Sequence, residues 1–378
     1  MNKHLTTSEN EGELMKEKTN WKQAFKFMGA VLAFAIGSGF ATGQELLQYF
    51  TAYGYKSILV GVVFLAIFIY SNYCFAVAGY RENFTKGSEV FQYYCGKYLG
   101  TAFDYFTVLF CYMSFIVMVA GAASTLNQQY GLPLIVGGIL LTVLAGVSVM
   151  FGLDRIVDII SKIGPVLVVF ALFIGIWNFA TAASSGNIAS GIAMIESGEV
   201  KVTQASSNWF MAGASYGGFC LLWFAGFMAK LGSEQKRLRE LMAGQSLSGT
   251  FNITACVVVG FALAGNVADV AGLQIPNLYL AAKIWPGIAS IFALIIFAAI
   301  YTTSCPLLWT ASSRFADESS SKFKILTLVL AVIGCVVALA VPFNILLNYI
   351  YVINGYGGFV LLILMFIKNL RLRIAAKK

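Results

Sequence analysis

Apolar stretches long enough to cross a lipid bilayer recur from residue 22 almost to residue 367, and no other feature of this sequence restricts its folding as much. A hydrocarbon core of about 30 Å is crossed by ~20 helical residues. Lipid offers no hydrogen-bond partner, so each crossing segment must satisfy its own peptide groups, as a helix does. Reading for length and polarity places helices near 22–49, 57–80, 101–127, 133–151, 159–180, 207–230, 241–264, 284–312, 324–341 and 344–367. With 59% hydrophobic and 11% charged residues and a mean hydropathy of +0.78, the chain lacks the polar surface of a water-soluble domain. The fold class expected is an all-α membrane protein with ten transmembrane helices.

Charge placement orients the spans. With a cytoplasmic N-terminus, all of the 25 Lys and Arg except Lys56, Lys201 and Lys283 fall in tails and loops of the cytoplasmic side. One missed or added span would invert every later loop and erase that asymmetry. The sequence thus predicts a multi-pass protein of the cytoplasmic membrane with both termini in the cytoplasm. Its net charge of +8 is accounted for by topology, and no nucleic-acid partner is expected. Residues 1–20 are polar and the first apolar run is too long for a signal core, so no cleaved leader is expected. The seven cysteines are scattered, without disulfide or metal spacing, and read as packing residues.

Ten spans divide into two fives, and because five is odd the second set must cross upside down relative to the first, as an inverted repeat. The expected division is a polar tail at 1–20, a first repeat at 21–180, an extracellular loop at 181–206, a second repeat at 207–367 and a basic tail at 368–378. Long loops at 81–100 and 265–283 occupy matching places and could hold short surface helices.

The first span of each half carries glycines near its middle: Gly37-Ser38-Gly39-Phe40-Ala41-Thr42-Gly43, and Ala212-Gly213-Ala214-Ser215-Tyr216-Gly217-Gly218. Glycine costs roughly 1 kcal/mol against alanine in a helix, so both spans are expected to be discontinuous there. Broken backbone at membrane depth is tolerated only where protein or a watery cavity covers it. Half-helix ends would offer N–H groups to a carboxylate and carbonyls to an ammonium, which suits a zwitterion. The competing reading is close packing of the small-xxx-small kind.

At these residues the sequence resembles a known group. Ile36 to Phe40 is similar to the first-helix signature of the amino acid, polyamine and organocation transporter superfamily, and Ala214 to Phe219 to its broken sixth helix. The string Gly37 to Glu45, GSGFATGQE, most resembles the YkvI-like amino-acid permeases. The resemblance implies the five-plus-five inverted-repeat fold of the leucine transporter, with a small solute such as an amino acid held between spans one, three, six and eight. It places that solute on Gly37, Ser38, Gly39, Phe40 and Thr42 of the first span and on Ser215, Tyr216, Gly217 and Gly218 of the sixth. It also implies a sodium position drawn from Ala33, Ile36, Ala299, Thr302 and Thr303, whose hydroxyls are suitable hard ligands.

Two further residues bear on coupling. Lys162 resembles the fifth-span lysine of relatives that do without sodium, where a lysine partly withdrawn from water could exchange a proton during transport. The bland alternative is a snorkelling anchor. Glu45 is a carboxylate inside a span, an expensive placement common on ion and proton pathways. A proton and a sodium ion both stand as coupling candidates, and no other cofactor is expected. For the threonines the alternative is back-bonding to their own helix.

Enzymatic chemistry is not expected, because the single histidine is His4 in the polar tail and no nucleophile, base and acid are grouped within the spans. The reading is a secondary active transporter working by alternating access; the alternative is an amino-acid-binding membrane sensor without turnover. The sequence does not set the oligomeric state.

Overall fold

The computed structural model describes residues 19–35, 38–150 and 154–375, with the side chains at 33, 38 and 154–165 outside the description. Every regular element among the described residues is helical. Among the described residues, eight helices are long and apolar enough to cross a membrane: they lie in Thr51–Glu82, Glu89–Tyr130, Val166–Ser184, Trp209–Ser233, Arg239–Ala264, Pro286–Ser313, Ser321–Ala340 and Phe343–Ala375. Two of the ten expected spans fall short of that length. The fourth, Leu134–Met150, has 17 residues, and the first is divided into pieces.

That first span consists of α1 (Trp21–Ala35), α2 (Ser38–Thr42) and α3 (Gln44–Tyr49). The break described between α2 and α3 is Gly43, at φ 81°, a left-handed conformation that side-chain-bearing residues rarely adopt. A 3-10 turn at Thr51–Lys56 leads into α4 (Ser57–Glu82), followed by α5 (Glu89–Tyr130), α6 (Leu134–Met150) and α7 (Asp154–Ser184). The second half contains α8 (Asn187–Ser197) in the predicted loop, then α9 (Trp209–Ser233) and α10 (Arg239–Ala264). Two short helices, α11 (Val267–Val270) and α12 (Pro276–Ile284), precede α13 (Pro286–Ser313), α14 (Ser321–Ala340) and α15 (Phe343–Ala375).

The matching long loops behave alike. Residues 265–283 hold α11 and most of α12. In 81–100 the helix that starts at Glu89 turns at Gly96, φ 75° and ψ 176°, so a short segment precedes the third span.

Packing follows the inverted repeat. The first span of each half lies against the second span of the other: α1 on α10, and α9 on α4. The third spans, α5 and α13, pack on one another, and so do the fourth, α6 and α14. The cross pairs α5 with α14 and α13 with α6 complete the exchange. The lipid-facing residues are apolar, with Val136, Ile139 and Val143 of α6 and Ile325, Val332 and Val336 of α14 exposed on the helix surfaces. Such exposure costs nothing when the solvent is hydrocarbon.

The expected break in the sixth span is corrected by the structure: α9 is a continuous helix through Gly213, Gly217 and Gly218. None of its glycines has a positive φ. Their role is contact. A Cβ on Gly213 would lie 2.8 Å from the Val60 carbonyl of α4, one on Gly217 would lie 2.9 Å from Ile67, and one on Gly218 would run into the Gly355 carbonyl of α15. Lipid gives no hydrophobic drive for helices to associate, so close backbone approach supplies the dispersion contacts that hold them together. The small-residue reading therefore holds for this span.

Candidate functional site

The break at Gly43 frees carbonyls that a continuous helix would bond, and their partners define the surroundings of the site. The Thr42 hydroxyl donates to the Gly39 carbonyl at 2.9 Å. Asn277, on α12, donates through its Nδ2 to the carbonyls of Phe40 and Ala41, both at 3.1 Å. A Cβ on Gly43 would lie 2.5 Å from the Asn277 Oδ1, so the glycine also makes room for this capping side chain. The carbonyls of Gly39, Phe40 and Ala41 are thus bonded within the protein itself, as backbone buried away from water requires.

Glu45 lies in the first turn of α3 and is buried, at 7% exposure. Its Oε1 accepts a 2.6 Å hydrogen bond from the Tyr216 hydroxyl of α9. Its other oxygen rests on Gly39, where a Cβ would displace it. Spans one and six therefore meet at this carboxyl, although only the first is broken. The Tyr216 ring is fixed by edge and tilted contacts to Tyr49, Phe50, Phe64 and Phe219, with centroids 4.8–5.3 Å apart. Its hydroxyl also lies 3.8 Å from the Cys256 Sγ.

Beside Glu45 lies a small cavity of about 50 Å³. Phe34, Gly39 and Glu45 line it from the first span, Phe110 and Met118 from the third, Phe219 and Trp223 from the sixth, Thr303 from the eighth and Tyr351 from the tenth. Its walls come from both halves of the chain. The volume is far below the ~300–1,000 Å³ of a typical ligand pocket.

Of the residues expected to hold solute, Gly39 lines the cavity and Tyr216 reaches it through Glu45. Phe40 is packed in the core and Thr42 caps the break. Ser215, Gly217 and Gly218 face neighbouring helices: Ser215 and Gly218 meet α15 at Gly355, and Gly217 meets α4. Gly37 lies outside the described residues, as does the side chain of Ser38.

Among the ion-coupling candidates, Glu45 and Thr303 border the cavity. Thr302 and Thr303 both donate to the Ala299 carbonyl, at 2.8 and 2.9 Å, which is the back-bonding alternative. Each hydroxyl oxygen keeps lone pairs for a cation. Pro306 in the same helix removes the donor that the Thr302 carbonyl would otherwise meet. Helix α13 packs against α2, and Thr303 shares the cavity wall with Gly39 and Glu45. Ile36 lies outside the described residues, as do the side chains of Ala33 and Lys162.

Sequence reasoning did not single out Asn277, or the rings Phe34, Phe110, Phe219, Trp223 and Tyr351. An asparagine that follows proline at the start of a loop helix carries a turn signal only, and its partners are more than two hundred residues away. Aromatic residues are frequent in every span, and nothing in their spacing marks those that converge.

No family model matches the chain. Among curated proteins, the sequence is 21% identical over 333 residues to the uncharacterized membrane protein YkvI of Bacillus subtilis, a match spanning 88% of this chain and 91% of YkvI. It is 31% identical over 153 residues to the uncharacterized protein YyaD of the same organism, there spanning 40% of this chain and 44% of YyaD, less than half of that relative. Among solved structures it resembles MhsT in complex with L-phenylalanine, with a TM-score of 0.58 and 17% identity over 85% of this chain and 80% of that one. A Na+-coupled sialic acid symporter in its substrate-bound outward-open state gives a TM-score of 0.58 and 12% identity, over 93% of this chain and 82% of the other. A mutant of the Eremococcus coleocola manganese transporter gives 0.52 and 12%, over 93% and 78%. At these identities the likeness to solved structures concerns the fold. The chain is thus similar in sequence to YkvI, and it has the leucine-transporter-like fold that its first-span signature implied.

Proposed function

We propose that this protein is a secondary active transporter that moves a small amino-acid-like solute by alternating access. In this reading its two halves, 21–180 and 207–367, rock about the Glu45 site, and both termini lie in the cytoplasm of a cell whose cytoplasmic membrane holds the protein. The observation that carries the proposal is the small cavity at the first-span break, whose walls belong to both halves. A hole of about 50 Å³ holds only a few atoms. A solute enters such a site only when the walls part, and relative motion of the two repeats parts them.

Amino-acid chemistry is supported by the neighbour bound to L-phenylalanine and by the apolar, aromatic lining. Coupling is to a proton handled by Glu45 or Lys162, or to a sodium ion. The second reading is favoured by a Na+-coupled neighbour and by the hydroxyls of Thr302 and Thr303 on one helix.

The test is uptake and counterflow of labelled amino acids and amines in proteoliposomes under an imposed sodium or pH gradient. Saturable counterflow is expected, accelerated by one gradient. Binding without flux under every gradient would overturn the transport reading in favour of a receptor. Stimulation by sodium alone would remove the proton from the scheme.

A further inference from the structure

The cavity's chemistry points to one pole of the solute. Glu45 is the acidic group on its wall, and none of the described residues that line it is basic. Around the carboxyl runs a chain of rings in contact: Phe34 with Trp223 at 5.8 Å, Trp223 with Phe110 at 5.8 Å, Phe110 with Tyr351 at 6.5 Å, Tyr351 with Phe219 at 4.8 Å, and Phe219 with Tyr216 at 5.0 Å. The last ring donates its hydroxyl to Glu45 and closes the chain on the carboxyl. Ring faces carry negative quadrupole potential, so an aromatic enclosure attracts an organic cation. A carboxyl in its wall adds a hydrogen-bond acceptor and a counter-charge.

The anion-receiving alternative is blocked. A solute carboxylate laid on Gly39 would meet the Glu45 oxygen already resting there. Helix α3 has only six residues, and Glu45 already sits in its first turn, where it supplies the negative charge that the helix end attracts.

We infer that the site recognises an ammonium nitrogen carried on an apolar body, with Glu45 as counter-ion and the aromatic chain as enclosure, and that a carboxylate on the solute is dispensable. This inference rests on the transport-site reading above and narrows its solute class.

Two matched sets of probes test it on the full-length protein in detergent and in proteoliposomes: L-phenylalanine, phenethylamine and 3-phenylpropanoate; L-leucine, isoamylamine and 4-methylpentanoate. The amines are expected to bind and exchange at least as tightly as the amino acids, while the acids that lack nitrogen do not compete. Glu45→Gln keeps an acceptor for the Tyr216 hydroxyl; it is expected to retain the wild-type melting temperature and to weaken amine binding by about tenfold or more. Competition by either nitrogen-free acid, or binding of the amino acids with none of the amines, overturns the inference. Binding of no probe overturns it as well, yet saturable flux of some other solute in the same vesicles would leave the transport reading standing. Unchanged amine affinity in Glu45→Gln removes the carboxyl from the assignment without any appeal to folding.

Discussion

At the scale of single residues, the first-span break depends on a reciprocal pair. Gly43 turns the chain at φ 81°, and Asn277 occupies the room it leaves while bonding the Phe40 and Ala41 carbonyls. A methyl group at 43 meets both the backbone preference and the Asn277 side chain, so Gly43→Ala is expected to destabilise the protein by about 1–3 kcal/mol. Asn277→Ala removes the Ala41 carbonyl's donor and leaves the Phe40 carbonyl with the Gly43 N–H alone, and should cost about 1–3 kcal/mol. Thermal unfolding in detergent checks both, and melting temperatures equal to wild type would show that the break is held by other contacts. The sequence disclosed half of this pair: the glycine in GSGFATG was legible as a helix interruption, whereas the asparagine was not, because hydrogen-bond partners distant in the chain leave no local pattern.

At the scale of elements, the two glycine-bearing spans part company. Both are rich in glycine and small residues, and both were expected to unwind; only the first does, and α9 spends its glycines on proximity to α4 and α15. Composition could not separate these outcomes, since a missing Cβ permits either a left-handed turn or a close neighbour. A substitution pair distinguishes the roles. Gly218→Ala drives a methyl into the Gly355 carbonyl and should cost about 1–3 kcal/mol through helix separation. Gly29→Ala, on the exposed face of α1 with nothing within 4 Å, should leave stability unchanged or raise it by up to about 1 kcal/mol. Equal melting temperatures for the two variants would argue against tight packing at Gly218. The contact between α4 and α9 continues the theme: a Cβ on Gly79 would collide with the Ala229 carbonyl, and one on Gly232 with that of Ala76.

For the whole molecule, orientation is the property most directly open to test. Glu199 is exposed in the loop after α8, and Asp317 is exposed between α13 and α14. Single cysteines placed there, Glu199→Cys and Asp317→Cys, should react with an impermeant maleimide from outside the cell and only after permeabilisation, respectively. The native cysteines are buried or half-buried, which keeps the background low. Reversed labelling would invert the topology and with it the direction of the sites described above. The paired contacts α1 with α10 and α9 with α4 make the halves interdependent, so neither half is expected to insert stably without the other.

Sequence by itself determined that this chain lives in a membrane as a bundle of helices and that the first span is interrupted next to a carboxylate, and its loop charges supply the orientation that labelling would test. Those properties depend on the hydropathy of contiguous segments, on loop charge and on local backbone preference, and all three are written along the chain. Tertiary structure decided that the sixth span stays whole, that Glu45 meets Tyr216, and that five rings from distant spans converge beside them. Such convergence depends on which face of each helix turns inward, and that is settled by backbone-to-backbone fit between helices rather than by any pattern within one of them.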